Sequence, residues 1–131
     1  MPKPETVVYM DHSEVREGKL GELKSAINDL IELVKAEEPR IIAYRVYFTD
    51  DGKRMTVIHI HPDSDSLEFH MQKAGRAFSR FADFIRMLKI DVYGKVSEGL
   101  LEQLRKKALI LGGGIVAGHA LHGGFARFEV R

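Results

Sequence analysis

One stretch of the chain, Pro62–Gly94, reads PDSDSLEFHMQKAGRAFSRFADFIRMLKIDVYG, and its hydrophobic period changes once. In the first part, apolar residues recur every three or four positions, which places them on one face of a helix. These residues are Leu67, Met71, Ala74, Phe78, Phe81 and Ile85. After Arg86, the apolar residues Leu88, Ile90 and Val92 alternate with polar ones, as in a strand with one apolar face. The stretch therefore predicts a helix that leads into a strand, and the fold prediction starts from this helix–strand unit.

One ionisable residue, His70, lies at the edge of the apolar face of this predicted helix. At about 100° per residue it falls beside Phe81 and Phe84. An imidazole titrates near neutral pH, so it can accept a phenolic proton or orient an aromatic oxygen. A histidine between a helix and a sheet can equally be structural, bonded to a backbone carbonyl or a tyrosine. His70 is our candidate catalytic residue, with the structural role as the alternative.

Composition excludes several classes of function. The chain has 131 residues, 30% of them charged, and a net charge of +1, so it has no basic field for nucleic acid. It has no cysteine, which excludes disulfides, thiolate metal sites and a cysteine nucleophile and fits a reducing compartment. No apolar run approaches the roughly 20 residues that span a bilayer, and MPKPETVV is unlike a signal peptide. We expect a soluble, cytoplasmic protein without membrane partners.

Similar patterns predict the other elements. Polar residues from Asp11 onward end the first strand, Pro39 ends the first helix, and Asp51-Gly52 indicates a hairpin. The predicted strands are Thr6–Met10, Ile41–Phe48, Met55–His61 and Phe125–Val130, and the predicted helices are Gly18–Glu37 and Ser97 to about Lys107. The order β-α-β-β-α-β, extended by a helix and a strand, predicts an α+β, ferredoxin-like fold with an antiparallel sheet and its helices on one face.

We expect a single domain over residues 1–131, with its core at about 6–104 and a glycine-rich C-terminal extension at 108–131. The second strand carries apolar bulk on both faces, with Tyr44 on the Ile42/Val46/Phe48 face and Ala43 and Tyr47 on the other. A sheet with helices on one side only should be wetter on its second face. We therefore expect the second face to pack against the sheet of an identical chain in a two-fold homodimer.

Aromatic residues offer a binding slot for a flat ligand, which needs mostly apolar walls and a few polar groups. The candidate substrate-binding residues are Tyr9, Tyr44, Phe78, Phe81 and Tyr93. The alternative is that they are ordinary core and strand residues.

Two further motifs have simpler alternatives. His59 and His61 share one strand face at a spacing that suits a metal, but few carboxylates are nearby, and both could instead line the dimer contact with Arg45. We predict no metal site. Gly112-Gly113-Gly114 suggests a phosphate loop but lacks the Gly-Lys-Ser/Thr ending, so we expect a turn or flexible segment.

Several residues in this order resemble the antibiotic biosynthesis monooxygenase family, also called quinol-monooxygenase-like. They are Glu38-Pro39 ahead of the strand with Tyr44, then Pro62-Asp63, Ser66-Leu67-Glu68-Phe69-His70-Met71 and Val92-Tyr93-Gly94. The resemblance covers roughly Val7 to Leu104 and leaves the tail after Lys107 unexplained. It implies a dimeric α+β barrel in which two sheets pack face to face.

The resemblance also implies a function. Members of the family oxygenate phenolic or quinol-like molecules with O₂ and without a metal or flavin, and His70 matches the histidine of their second helix. A haem-degrading branch relies on an Asn, a Trp and a His; this sequence has no Trp, and its only Asn is Asn28 on the first helix. The expected function is cofactor-independent monooxygenation of a small aromatic molecule. The alternative is a non-catalytic dimeric module that binds a small ligand or serves a stress or regulatory role.

Overall fold

The computed structural model describes residues 5–129. It has the predicted β-α-β-β-α-β order, followed by a third helix and a fifth strand. The elements are β1 (Val7–Val15), α1 (Leu20–Glu37), β2 (Ala43–Phe48), β3 (Arg54–His61), α2 (Ser64–Phe81), β4 (Ile85–Tyr93), α3 (Glu98–Ile110), β5 (Ile115–His119) and a 3₁₀ turn at Arg127–Glu129. The α+β, ferredoxin-like prediction is confirmed.

The five strands form one sheet in the order β2-β3-β1-β4-β5. The pairs among β1 to β4 are antiparallel, as predicted. Strand β5 runs parallel to β4, so the whole sheet is mixed, and the prediction of an antiparallel sheet is corrected at this edge. A parallel pair needs a crossover connection, and α3 supplies it between β4 and β5.

The helices pack on one face of the sheet and enclose the core. Helix α2 begins at the predicted place, because the Asp63 side chain accepts a hydrogen bond from the Ser66 backbone N–H at 3.0 Å and caps the helix. The apolar face of α2 is buried as the spacing predicts, and Leu67, Ala74, Phe78 and Phe81 belong to the core. The helix ends at Phe81 rather than near Arg86, and β4 starts at Ile85.

Strand β1 is longer than predicted. The segment from Asp11 to Ser13, which we expected to end it, lies inside a strand that continues to Val15. Backbone pairing with β3 on one side and β4 on the other outweighs the weak strand propensity of these polar residues. A register shift between His12 and Ser13 marks an irregularity against β4. Asp11 and Ser13 consequently point into the helix-covered face, where both are buried.

The C-terminal extension contains the predicted extra strand at a different place. The strand is Ile115–His119, whereas Phe125–Glu129 contains a 3₁₀ turn, and Val130 lies outside the described residues. Gly112 and Gly113 have positive φ angles of 118° and 92°, which allow the chain to turn back beside β4 directly after α3. The backbone N–H groups of Gly112 and Gly113 bond to the carbonyls of Leu109 and Ala108, at 3.3 Å and 2.7 Å, so this segment is a turn that closes the C-terminus of α3.

No helix among residues 5–129 covers the other face of the sheet. Val8, Met10, Ile58 and Ile60 lie there half-buried, and Tyr47 is 48% exposed. We call this surface the open face. His59 and His61 lie on the opposite, helix-covered side, so their suggested position at a dimer contact with Arg45 is wrong.

Candidate functional site

Polar side chains with almost no access to solvent lie between the sheet and the three helices. Each is at most 6% exposed. We define the buried polar cluster as Tyr9, Asp11, Glu38, His59, His61, Ser66, His70 and Lys107. Buried polar groups are expensive unless they are hydrogen-bonded, so the partner of each atom matters.

The first unit of the cluster is a pair formed by His70 and Glu38. His70 is 1% exposed, and its Nδ1 lies 3.0 Å and 2.9 Å from the two carboxylate oxygens of Glu38, itself 3% exposed. Glu38 is the residue after the end of α1, and its backbone N–H bonds to the Val34 carbonyl at 2.9 Å, which fixes its position. A carboxylate can only accept here, so Nδ1 carries the hydrogen and Nε2 is the nitrogen left for other chemistry.

Burial lowers the pKa of His70, while the hydrogen bond and charge of Glu38 oppose that shift and Lys107 adds to it. The imidazole is therefore neutral at pH 7, which is the form that can accept a proton. Protonation would create a buried imidazolium directly against a carboxylate. The pair has the arrangement of a general base oriented by an acid.

The second unit is a histidine pair on β3. His59 Nδ1 lies 3.3 Å from His61 Nε2, and His61 Nδ1 lies 2.8 Å from the Ser66 hydroxyl. Burial lowers the pKa of His59 well below its usual value and that of His61 to about 3, so both rings are neutral at pH 7. The His59 ring centroid lies 4.5 Å from that of His70, which places this pair in contact with the first unit.

The third unit is a chain of short hydrogen bonds from α3 to β1. Lys107 Nζ donates to the Tyr9 hydroxyl at 2.6 Å, and that hydroxyl donates to Asp11 Oδ2 at 2.6 Å. Nζ also lies 3.5 Å from Oδ2 and 4.3 Å from the ring centroid of Phe78. Burial lowers the pKa of Lys107, and Asp11 opposes that shift. The buried cation is thus balanced by one carboxylate, as burial of charge demands.

Two spaces border the cluster. An inner cavity of about 30 Å³ is lined by Tyr44, His70 and the third unit's Asp11 and Lys107, with apolar side chains from α1, α2 and the sheet. A surface cleft of about 290 Å³ is lined by Glu38, Pro39, Arg40, Asp65, Ser66 and Phe69. Because Glu38 borders the cleft and bonds His70, the pair connects the inner cavity with the protein surface. Phe69, which is 39% exposed, forms part of this cleft.

The structure brings most of the predicted site residues together. His70, Tyr44, Phe78 and Phe81 line the inner cavity. Tyr9 lies beside them with its ring centroid 4.4 Å from that of His59, and its hydroxyl is bonded to Asp11 and Lys107.

Tyr93 lies apart from the others. It is 38% exposed, its ring stacks on His119 with centroids 4.4 Å apart, and it borders a separate surface cavity of about 350 Å³ formed with the C-terminal extension. The structure therefore does not place Tyr93 at the inner cavity.

Sequence analysis does not identify four residues of the buried polar cluster as site residues: Asp11, Glu38, Ser66 and Lys107. The polar side chain of Asp11 predicts the end of a strand, whereas in the structure Val7, Tyr9 and Asp11 continue one alternation of buried residues. Lys107 was assigned to the helix C-terminus, although it lies three residues after Leu104, on the apolar face of α3. Glu38 and Ser66 belong only to the motifs that carry the family resemblance. For Asp11 and Lys107 the sequence does contain a signal, because each is a charged residue at a position that the hydrophobic period assigns to the core.

Residues 5–129 contain neither a candidate metal site nor a helix that could span a membrane. A metal ion would need a group of three or more His, Cys, Asp or Glu side chains, and this range contains no such group. No helix within the range is both long and apolar enough to cross a membrane.

Comparison with known proteins places the fold. No family model and no curated protein matches the sequence. Among solved structures, SnoaB, a cofactor-independent oxygenase from Streptomyces nogalater, is similar with a TM-score of 0.58 and 13% identity over 67% of this chain and 90% of its own. A candidate antibiotic biosynthesis monooxygenase from Bacteroides thetaiotaomicron has a TM-score of 0.58 and 14% identity over 66% of this chain and 84% of its own. The fold is therefore the one seen in antibiotic biosynthesis monooxygenases, as the sequence resemblance predicted.

A longer likeness includes most of the extension. MupZ from Pseudomonas fluorescens has a TM-score of 0.73 and 21% identity, and the alignment covers 96% of this chain and 98% of that one. The extra helix and strand are thus shared with MupZ, whereas the alignments to the other two cover about two thirds of the chain. At these identities the likeness concerns the fold alone.

Proposed function

We propose that the protein is a cofactor-independent monooxygenase that acts on a small phenol or hydroquinone in the inner cavity. The observation that carries the proposal is the buried Glu38–His70 pair, which leaves Nε2 of a neutral imidazole for proton abstraction beside Tyr44 and Phe78. SnoaB, which shares the fold, is a cofactor-independent oxygenase and supports the reaction class.

The first step is removal of a phenolic proton. His70 Nε2 accepts it, and the resulting imidazolium is stabilised by Glu38 at 2.9 Å. Positioned general bases accelerate such transfers by roughly 10²- to 10⁴-fold. The proton then leaves through Nδ1 and Glu38, since Glu38 borders the surface cleft.

The second step is oxygenation of the anion. The hydroquinone anion passes one electron to O₂, which gives superoxide and a semiquinone radical. The two recombine at a ring carbon to form a peroxide, which loses water to give a hydroxyquinone. The balance is one hydroquinone plus one O₂ to one hydroxyquinone plus one H₂O, so the substrate supplies all the electrons. Lys107 is the buried cation nearest this cavity and stabilises the negative charge that develops.

Substrate binding requires the cavity to widen. A cavity of about 30 Å³ has room for roughly one water molecule, whereas a dry cavity of about 150 Å³ accommodates benzene. Phe78 and Phe81 on α2 and Ile27 and Leu30 on α1 supply the apolar walls, so displacement of these side chains admits a ring. Such movement would also open the buried base to its substrate.

Oxygen uptake tests the proposal. The purified protein is mixed with a panel of hydroquinones in an oxygen electrode, and the same panel is given to His70→Gln and to a control, His122→Gln. Glutamine at position 70 still donates to Glu38 but accepts no proton at neutral pH, so consumption should fall roughly 10²-fold or more, while the control keeps its rate. Binding without any oxygen consumption by the unaltered protein would favour the non-catalytic ligand-binding module instead.

We also propose that the protein is a homodimer through its open face. The face carries the half-buried apolar residues Val8, Met10, Ile58 and Ile60, and a contiguous apolar surface of this kind is typical of an interface. A second copy related by a two-fold axis would cover it sheet to sheet. Sedimentation as a monomer at micromolar concentration would contradict this proposal.

A further inference from the structure

One oxygen of the buried polar cluster has no hydrogen-bond partner among residues 5–129. It is Oδ1 of Asp11, whose side chain is 5% exposed and lines the inner cavity. The other carboxylate oxygen, Oδ2, accepts from Tyr9 and lies 3.5 Å from Lys107 Nζ. A buried carboxylate oxygen that lacks a partner destabilises the fold, because the loss of its hydration is not compensated.

The carboxylate is held rigidly at the inner end of the cavity. Asp11 lies in the central strand β1, between β3 and β4, and its second oxygen is fixed by two groups from β1 and α3. The lining of the cavity also includes the apolar side chains of Met87 and Leu111. Rotation of the carboxylate that turned Oδ1 toward another donor would break the bond from Tyr9 to Oδ2.

His70 is a second polar residue in the lining of the cavity. The ring of His59 lies 4.4 Å from that of Tyr9, which bonds Asp11, and 4.5 Å from that of His70, and the ring of Tyr44 lies 4.6 Å from that of His59. The cavity lining thus combines two acceptors, a carboxylate oxygen and an imidazole nitrogen, with aromatic groups. A molecule that fills it well needs two hydrogen-bond donors and a flat apolar body.

We propose that Asp11 Oδ1 is the acceptor for a second hydroxyl group of the ligand, so that the site selects dihydroxylated aromatic molecules of the hydroquinone type over simple phenols. The assignment rests on the proposed function, because it uses the same cavity and gives His70 the first hydroxyl. Asp11 is then a specificity-determining residue. A site built to bond a hydroxyl discriminates against the analogue that lacks it, because its own polar atom stays unpaired.

Equilibrium binding in the absence of oxygen tests this directly. Calorimetric titrations with hydroquinone and with phenol are compared for the unaltered protein, for Asp11→Asn and for Asp91→Asn. Asp91 is a matched control, since it is a buried aspartate of the neighbouring strand that bonds His119 on the open face, away from the inner cavity.

We expect the unaltered protein to bind hydroquinone roughly tenfold or more tightly than phenol. Asp11→Asn should reduce this preference at least threefold, because a neutral acceptor makes a weaker bond than a carboxylate, and Asp91→Asn should keep it. Equal affinity for the two ligands in the unaltered protein, or binding of neither at millimolar concentration, would overturn the assignment even if Asp11→Asn failed to fold.

The two proposals fail separately. A tenfold preference without any oxygen consumption would leave the role of Asp11 intact and reject the monooxygenase. Oxygen consumption with equal use of phenol and hydroquinone would reject the role of Asp11 and leave the monooxygenase intact.

Discussion

Mild acid should destabilise this protein through its buried histidines. His59, His61 and His70 lie in the core with their pKa values lowered by burial, so they are neutral when the protein is folded. In the unfolded chain each binds a proton below about pH 6.5. The unfolded state therefore takes up more protons than the folded state as the pH falls, and the free energy of unfolding decreases. The stability is fully present above pH 6.5 and is lost below it.

The size of the effect follows from His61, whose pKa is about 3 in the fold. At pH 5 the unfolded imidazole is almost fully protonated and the folded one is almost fully neutral, which corresponds to about 2 kcal/mol from this one residue. His59 and His70 act in the same direction. The contribution of His61 alone is a large fraction of the roughly 5–15 kcal/mol that stabilises a typical domain.

Urea unfolding at pH 7, 6 and 5 measures this effect. The range stops at pH 5, above the region in which carboxylates such as Asp63 and Asp91, with lowered pKa values, begin to contribute. In His61→Gln the loss between pH 7 and 5 should shrink by about 2 kcal/mol, whereas His122→Gln, an exposed residue of the tail, should behave as the unaltered protein does. A free energy of unfolding that changes by less than about 1 kcal/mol, or an unaltered loss in His61→Gln, would refute the reasoning.

Three further changes test the site and the surface. Glu38→Gln removes the carboxylate that raises the pKa of His70, so the acidic limb of the pH–rate profile for oxygen consumption should move to lower pH; a limb that stays in place would contradict the pairing. Phe78→Ala should cost about 3–5 kcal/mol of stability in urea unfolding but strengthen hydroquinone binding, because it removes a wall of the inner cavity; equal or weaker binding would show that this wall does not limit entry. Ile60→Lys on the open face should give monomers in sedimentation, whereas Leu33→Lys on α1, which is exposed but faces away from the sheet, should leave the association unchanged; a dimeric Ile60→Lys would rule out the open face as the interface.

Hydrophobic periodicity predicted the fold well because it reports which face of an element is buried. Ile90 and Val92 and the helical spacing of Leu67 to Phe81 correspond to residues in the core. The predicted alternation fails at Leu88, because the register of β4 against β1 shifts there and Met87 takes the core position. Element ends were less predictable. Strand β1 continues through Asp11 and His12 because its neighbours on both sides supply backbone partners, and no local pattern contains that information.

The site was predictable only in part, and the reason is physical. The aromatic residues and His70 were candidates because their chemistry is visible in the residue types. The partners of these residues come from distant segments of the chain. Glu38, the partner of His70, is 32 positions away from it, and Lys107, the partner of Tyr9, is 98 positions away from it. A sequence pattern places each residue on a face of its own element but does not say which faces meet.

The buried polar cluster also bears on whether the core has a purpose beyond stability. Replacing a buried ion pair by well-packed apolar residues is often neutral or stabilising, whereas removal of one partner is strongly destabilising. This core holds the Lys107–Asp11 pair, the Glu38–His70 pair and two further neutral imidazoles. An apolar core of the same volume would resist acid better and would leave no carboxylate oxygen without a partner. The residues of the cluster reduce stability, lie together around a cavity and border a surface cleft. Such an arrangement is typical of a binding or catalytic site. The acid-unfolding experiment and the ligand titrations therefore examine the same cluster from its two sides, since His70, one of the groups that weaken the fold at pH 5, is also the proposed base for the ligand at pH 7.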